Sequence, residues 1–187
     1  SHYHNIHKVL IIIAFIKFIN LNLNHINYNK FFMENKITGA IIVAAGEGIR
    51  SKSTVPKQYL NFGHKMVLEK NIENFIHEPL IDFVLVVINE KHRAFYNKAI
   101  AKISSSKLLT PCYGGKTRTQ SVKNGLKTIS NIGCKKILIQ DGARPFTSAK
   151  IIKNCIEGLD QFDVVFPGIE ISDTTYIQKN KNNKKTI

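Results

Sequence analysis

Three short apolar runs constrain this chain more than anything else in it. Residues 37–45 (ITGAIIVAA), 81–88 (IDFVLVVI) and 136–140 (KILIQ) are nearly continuous in aliphatic side chains. Runs of this length and continuity suit strands covered on both faces, as in a parallel sheet. Segments of roughly helical spacing separate or follow them: residues 66–76, 93–103, 117–129 and 148–159. Pro79 ends the first of these helices, and Ser148 stands where it can cap the last. Two weaker strands are expected at residues 108–113 and 163–166, the second stopped by Pro167. Strands alternating with helices imply βαβ units and a mostly parallel sheet. Ligands of such sheets bind beyond the C-terminal strand ends. The loops after Ala45, Tyr113, Gln140 and Phe166 are therefore the places to look for chemistry.

The length of 187 residues fits one domain, for which roughly 100–200 residues is usual. A hydrophobic fraction of 43%, with eleven glycines and five prolines, excludes a collagen-like or wholly disordered chain. The net charge of +14 invites a nucleic-acid reading. Half of that excess sits in two acid-free flanks, with three lysines in residues 1–32 and four in residues 179–187. A nucleic-acid footprint should be a basic stripe on a folded element, and none is visible. Cys112, Cys134 and Cys155 have no ligand-like spacing and suit a reducing, cytoplasmic setting.

Residues 1–32 differ in composition from the rest, lacking Gly, Pro, Asp, Glu and Arg. Their apolar run, residues 9–19, is interrupted by Lys17 and is shorter than the ~20 residues a membrane span needs. A signal peptide is the sharper alternative, but no small-x-small cleavage site follows. The expectation is an unstructured upstream extension over 1–32 and a nucleotide-binding domain over 33–187, opening at Met33.

The first candidate loop reads Ala44-Ala45-Gly46-Glu47-Gly48-Ile49-Arg50, followed by Pro56-Lys57-Gln58-Tyr59. Glycines after a strand let phosphates approach backbone N–H groups. The loop lacks the Gly-Lys-Ser/Thr ending of a Walker A motif, and Ser51 stands where the dinucleotide fingerprint wants Gly or Ala. Arg50 and Lys57 bracket it and can neutralise a triphosphate. The alternative is a solvated basic loop. A second element, Gly114-Gly115 with Ser121 one turn into the next helix, permits close approach to a base or sugar, or is an ordinary turn. A third, Asp141-Gly142-Ala143-Arg144-Pro145, puts a carboxylate at a strand end. That suits magnesium held alongside phosphates, or merely a turn. Ser172-Asp173-Thr174 is uninformative by itself.

Together these segments resemble the 2-C-methyl-D-erythritol 4-phosphate cytidylyltransferase family. The family's Ala-Ala-Gly-x-Gly-x-Arg and Pro-Lys-Gln-Tyr stand at residues 44–50 and 56–59. Its Gly-Gly-x-x-Arg-x-x-Ser-Val stands at 114–122, its Asp-x-Ala-Arg-Pro at 141–145, and its later Asp-Thr at 173–174. Order and spacing agree across roughly residues 37–175. The resemblance implies a Rossmann-like, three-layer α/β nucleotidyltransferase domain that dimerises through a projecting arm. It implies that Ala44, Ala45, Gly46, Gly48, Gly115 and Ser121 line the nucleotide. Arg50 and Lys57 would be the catalytic cations, and Asp141 would meet Mg²⁺ and the ribose. Arg144 and Thr174 would face the acceptor. The implied reaction transfers a cytidylyl group from CTP to the sugar-alcohol phosphate and releases pyrophosphate.

Two departures stand out. Lys116 replaces an acid that many members carry after Gly-Gly. The family's later Arg-containing segment and final lysine-bearing strand have no counterpart before Ile187. An uncovered sheet edge and weak acceptor binding are therefore expected. A pentitol-phosphate cytidylyltransferase and a CTP-binding remnant without turnover remain alternatives.

Overall fold

The computed structural model describes residues 14–17, 37–47, 55–168, 179–180 and 183–184. Its centre is the first apolar run. Strand β1 (Ala14–Lys17) precedes it, and β2 (Thr38–Ala44) is the run itself. A short 3-10 turn (Lys57–Tyr59) and a two-stranded ribbon, β3 (Asn61–Phe62) and β4 (Lys65–Met66), lead into α1 (Val67–Ile76). Then follow β5 (Phe83–Ile88), α2 (Arg93–Ile100), β6 (Cys112–Tyr113), α3 (Arg118–Thr128), β7 (Lys136–Asp141) and α4 (Ala149–Gln161). Two further pairs, β8 (Lys179–Asn180) and β9 (Asn183–Lys184), form a small antiparallel ribbon. The Lys/Asn-rich sequence there carries no apolar strand pattern.

The main sheet has the order β1-β7-β2-β5-β6. The β7–β2, β2–β5 and β5–β6 pairs are parallel, and β1 adds antiparallel to β7. Strand burial alternates strictly between two cores. Ala40, Ile42, Val84, Val86, Ile88 and Leu138 pack against α1, α2 and α4 on one face. Ile41, Leu85, Val87, Ile137 and Ile139 pack against α3 on the other. This is why the runs read as nearly continuous: a strand covered on both faces favours apolar residues on both, with Thr38 and Gln140 the buried polar exceptions. The result is the expected three-layer α/β domain. Among the described residues no helix is long and apolar enough to cross a membrane.

Three expectations fail: a strand at 163–166, an uncovered sheet edge beside β7, and an extension without structure over 1–32. Residues 163–166 form no strand, and Val164 and Phe166 are 53% and 69% exposed. Their apolar pattern finds no neighbouring strand to pair with. The edge where a strand beside β7 would lie is taken by β1, in register from Ala14↔Ile139 to Lys17↔Lys136. Residues 1–32 therefore contain at least one element of the sheet, where no structure had been expected. The physical reason is that an edge strand presents unpaired N–H and C=O groups that any short extended segment can satisfy.

Deleting residues 1–32 should accordingly expose that edge. Hydrogen exchange is expected to show lost protection in β7, with a lower thermal midpoint and greater aggregation. Unchanged protection in β7 would count against the pairing.

Candidate active site

The sheet order reverses at β2: the chain moves from β2 to β5 and β6, then crosses back to place β7 on the other side. A crevice at such a switch point, beyond the strand ends, is where open α/β sheets bind ligands. Four strand ends meet there: Ala44, Ile88, Tyr113 and Asp141.

The ends approach so closely that only small residues fit. A Cβ on Gly142 would lie 2.8 Å from the Ala44 methyl and 3.0 Å from the Val43 carbonyl oxygen. The Gly142 N–H donates to that same carbonyl at 2.8 Å. A Cβ on Gly114 would collide with the Ala45 methyl and lie 2.7 Å from Ser121 Oγ. The Gly114 N–H is bonded to the Ile88 carbonyl at 2.8 Å, which ties the Gly-Gly loop to the end of β5.

Gln58 holds the first loop. Its Nε2 donates to the carbonyls of both Ala44 and Gly46, each at 2.8 Å, and its side chain is buried. The sequence around Pro56–Tyr59 carries no mark of this role, because both acceptors lie 12 to 14 positions away. The 3-10 turn that carries it is anchored by Tyr59, stacked on Phe95 with ring centroids 5.4 Å apart. Burial raises the Tyr59 phenol well above its ordinary value, so it acts as an apolar post rather than an acid. Lys57, on the same turn, is exposed. The turn thus fixes a lysine beside the glycine loop through its two buried neighbours.

Ser121 and Gly115 are brought together. The Gly115 N–H donates to Ser121 Oγ at 3.1 Å, and the hydroxyl reaches the Thr117 carbonyl at 3.0 Å. Thr117 caps α3, accepting from Gln120 N–H at 3.1 Å. The Asp141 loop is held from behind by two amides of α1. Asn71 Nδ2 donates to the Asp141 carbonyl (3.0 Å), and Asn74 Nδ2 to the Pro145 carbonyl (2.8 Å). The Asp141 carboxylate is flanked by two cations: Arg118 Nε lies 2.9 Å from Oδ1 and Arg144 Nε 3.2 Å from Oδ2. Arg118 had been read only as a motif letter. No signal in one sequence could pair it with an acid 23 positions away.

The structure thus assembles Ala44, Ala45, Gly46, Lys57, Gly115, Ser121, Asp141 and Arg144 around the strand ends. Gly48, Arg50 and Thr174 lie outside the described residues. No group of three or more His, Cys, Asp or Glu converges as metal ligands among the described residues. A lone carboxylate still fits Mg²⁺, which commonly binds through one or two carboxylates plus substrate phosphates. Nor is a thiol poised for nucleophilic attack among the described residues. Burial pushes Cys134 and Cys155 up to about 11, and raises Cys112.

Comparison with known proteins decides the family. Residues 38–187 match the family described as IspD: 2-C-methyl-D-erythritol 4-phosphate cytidylyltransferase. The chain belongs to this family. It is 43% identical over 150 residues to the bifunctional enzyme IspD/IspF of Wolbachia pipientis wMel, a match covering 79% of this chain and 38% of that protein. It is 39% identical over 142 residues to the 2-C-methyl-D-erythritol 4-phosphate cytidylyltransferase of Clostridium botulinum (strain Loch Maree / Type A3), covering 75% and 61% of the two chains. Among solved structures it resembles the 4-diphosphocytidyl-2C-methyl-D-erythritol synthase of Anaerococcus prevotii DSM 20548, with TM-score 0.58 and 28% identity. That match covers 70% of this chain and 53% of the other. The chain therefore spans less than two thirds of the curated relatives it matches.

Replacing Gln58 by Leu should leave the buried Ala44 carbonyl unpaired and release the carbonyl of exposed Gly46 to solvent. An unfolding cost of about 1–3 kcal/mol is expected by chemical denaturation. Nucleotide affinity should fall with it, because the glycine loop loses its tether.

Proposed function

We propose that this IspD-family chain carries the nucleotide-binding side of a cytidylyltransferase. The reaction transfers the cytidylyl group of CTP to 2-C-methyl-D-erythritol 4-phosphate in isoprenoid precursor synthesis. The carrying observation is the convergence of the Ala44–Gly46 backbone, the Gly114-Gly115 turn and Asp141 at one sheet switch point. The three free thiols, and the lack of a membrane-crossing helix among the described residues, support a cytoplasmic setting.

In this reading an oxygen of the acceptor phosphate attacks the α-phosphorus of CTP. The new P–O bond forms as the α–β bridging bond breaks, and the electron pair leaves with pyrophosphate. The nucleophile is anionic from the start, so no strong general base is required. The chain's contribution is alignment and charge neutralisation. Ala44, Ala45, Gly46, Gly48, Gly115 and Ser121 line the nucleotide. Lys57 and Arg50 neutralise the triphosphate and the charge that grows on the α-phosphoryl oxygens. Arg144 and Thr174 face the acceptor. Asp141 would hold a divalent cation, which would screen and orient the phosphates.

Calorimetric titration should show CTP binding in the presence of Mg²⁺ in preference to ATP and GTP. Equal or tighter ATP binding would sink the cytidine assignment. Lys57→Ala should weaken CTP about tenfold while leaving cytidine affinity nearly unchanged, since only the phosphates meet that charge. Pyrophosphate release that depends on the methylerythritol phosphate would support turnover. CTP binding without release would leave a nucleotide-binding chain alone.

A further inference from the structure

Asp141 carries two ion pairs, one on each of its carboxylate oxygens. Arg144 belongs to the same turn as its partner. Its N–H donates to the Asp141 carbonyl at 3.1 Å, and its own carbonyl accepts from Gln140 Nε2 at 2.7 Å. It is therefore a fixed neighbour of the acid. Arg118 is different. It is the first residue of α3, its side chain is 45% exposed, and it reaches Oδ1 across 23 positions of sequence. Divalent ions of the Mg²⁺ class coordinate carboxylate oxygen at about 2.0–2.1 Å. A guanidinium hydrogen-bonded to the same oxygen would face that ion across a single atom, and the two repel.

We propose that Arg118 is a stand-in cation for the divalent site. It occupies Asp141 Oδ1, and a metal ion coordinates there only by displacing it. The displaced guanidinium then needs a new anion, and a polyphosphate arriving with the metal supplies one. That last step rests on the nucleotide reading above; the displacement itself does not. Arg118 is a positioning residue in this scheme. It keeps the carboxylate pinned toward the strand ends and makes metal binding conditional on the polyanion. The arrangement also accounts for a single carboxylate sufficing: Asp141 is a ligand for an ion already held by phosphates, and is no cage for a free one.

The test uses Mn²⁺ alone as probe, with the free ion followed by electron paramagnetic resonance in titrations of the full chain without nucleotide. Wild-type protein should retain Mn²⁺ weakly. Arg118→Gln, which removes the charge, should tighten Mn²⁺ binding about fivefold or more. Arg118→Lys, which keeps the charge, should stay near wild type. Asp141→Asn should abolish the gain in the Arg118→Gln background. Matching thermal midpoints for the Arg118 variants would show that the fold is intact, as the exposure of the side chain leads one to expect. Arg118→Gln affinity no higher than wild type would overturn the proposal, as would a gain that survives Asp141→Asn. A separate calorimetric arm measures CTP with Mg²⁺, where Arg118→Gln should bind several-fold more weakly than wild type. Failure of the wild type to bind CTP would overturn the nucleotide reading, while the Mn²⁺ arm still decides whether Arg118 stands in for the metal.

Discussion

The candidate site depends on how closely the strand ends approach one another. Ala44 and Gly142 meet across the β2–β7 pair, and Ala45 and Gly114 meet between the first loop and the Gly-Gly turn. At each junction the larger partner is a methyl group. A single added carbon at either glycine would force the loops apart. This closeness lets one glutamine bridge two carbonyls of the glycine loop. It also places the Ser121 hydroxyl on the Gly115 amide, and lets arginines from two elements share one carboxylate. The small residues are therefore a geometric condition for the Gly142–Val43 and Gly114–Ile88 backbone bonds that tie the strand ends together.

The supports behind this wall are uncharged. Asn71 and Asn74 of α1 tie down the Asp141 loop, Gln140 ties the Arg144 carbonyl, and Gln58 ties the first loop. Amides can satisfy backbone carbonyls without adding charge to a partly buried region, where an unpaired charge would be costly. The field at the mouth is then set by a few groups, with Lys57, Arg118 and Arg144 against Asp141 and Glu47 among the described residues. That balance is positive and locally concentrated, unlike the diffuse excess of the whole chain. A local positive field at strand ends attracts a compact polyanion. It is a different device from the basic stripe that a nucleic-acid surface requires.

The sheet was legible because burial on both faces makes a strand mostly apolar, and the runs at 37–45, 81–88 and 136–140 show this, with Thr38 and Gln140 as buried polar exceptions. Residues 163–166 carried a similar apolar density over a shorter length, too short to separate a strand from an exposed extended segment. Residues 14–17 were missed for the opposite reason. Lys17 interrupts their run, and an edge strand is selected by the open edge it covers rather than by its own pattern. In the site, glycines, Lys57 and Asp141 could be singled out because local sequence marks loops after strands. Gln58 and Arg118 could not be given tasks, because these follow from contacts at separations of 12 to 23 residues. Such contacts exist only once the sheet order is known.

The ionisation pattern around the strand ends says what kind of chemistry the site is built for. A general base works best with an affinity for protons near the operating pH. The phenols of Tyr59 and Tyr96 are driven upward by burial, the second to about 12, so neither exchanges protons near neutrality. The Cys112 thiol is raised as well. The His92 imidazole is lowered, mainly by burial, and sits edge-on to the Tyr59 ring with centroids 5.7 Å apart. Its place is in the packing behind the Lys57–Tyr59 turn. What the described residues offer at the strand ends is several cations, the paired carboxylate of Asp141, the exposed Glu47 and close backbone. These groups can hold and neutralise phosphates, and they have little means of abstracting a proton. In the proposed function the nucleophile is an acceptor phosphate oxygen, ionised from the start, and that reading needs no strong general base.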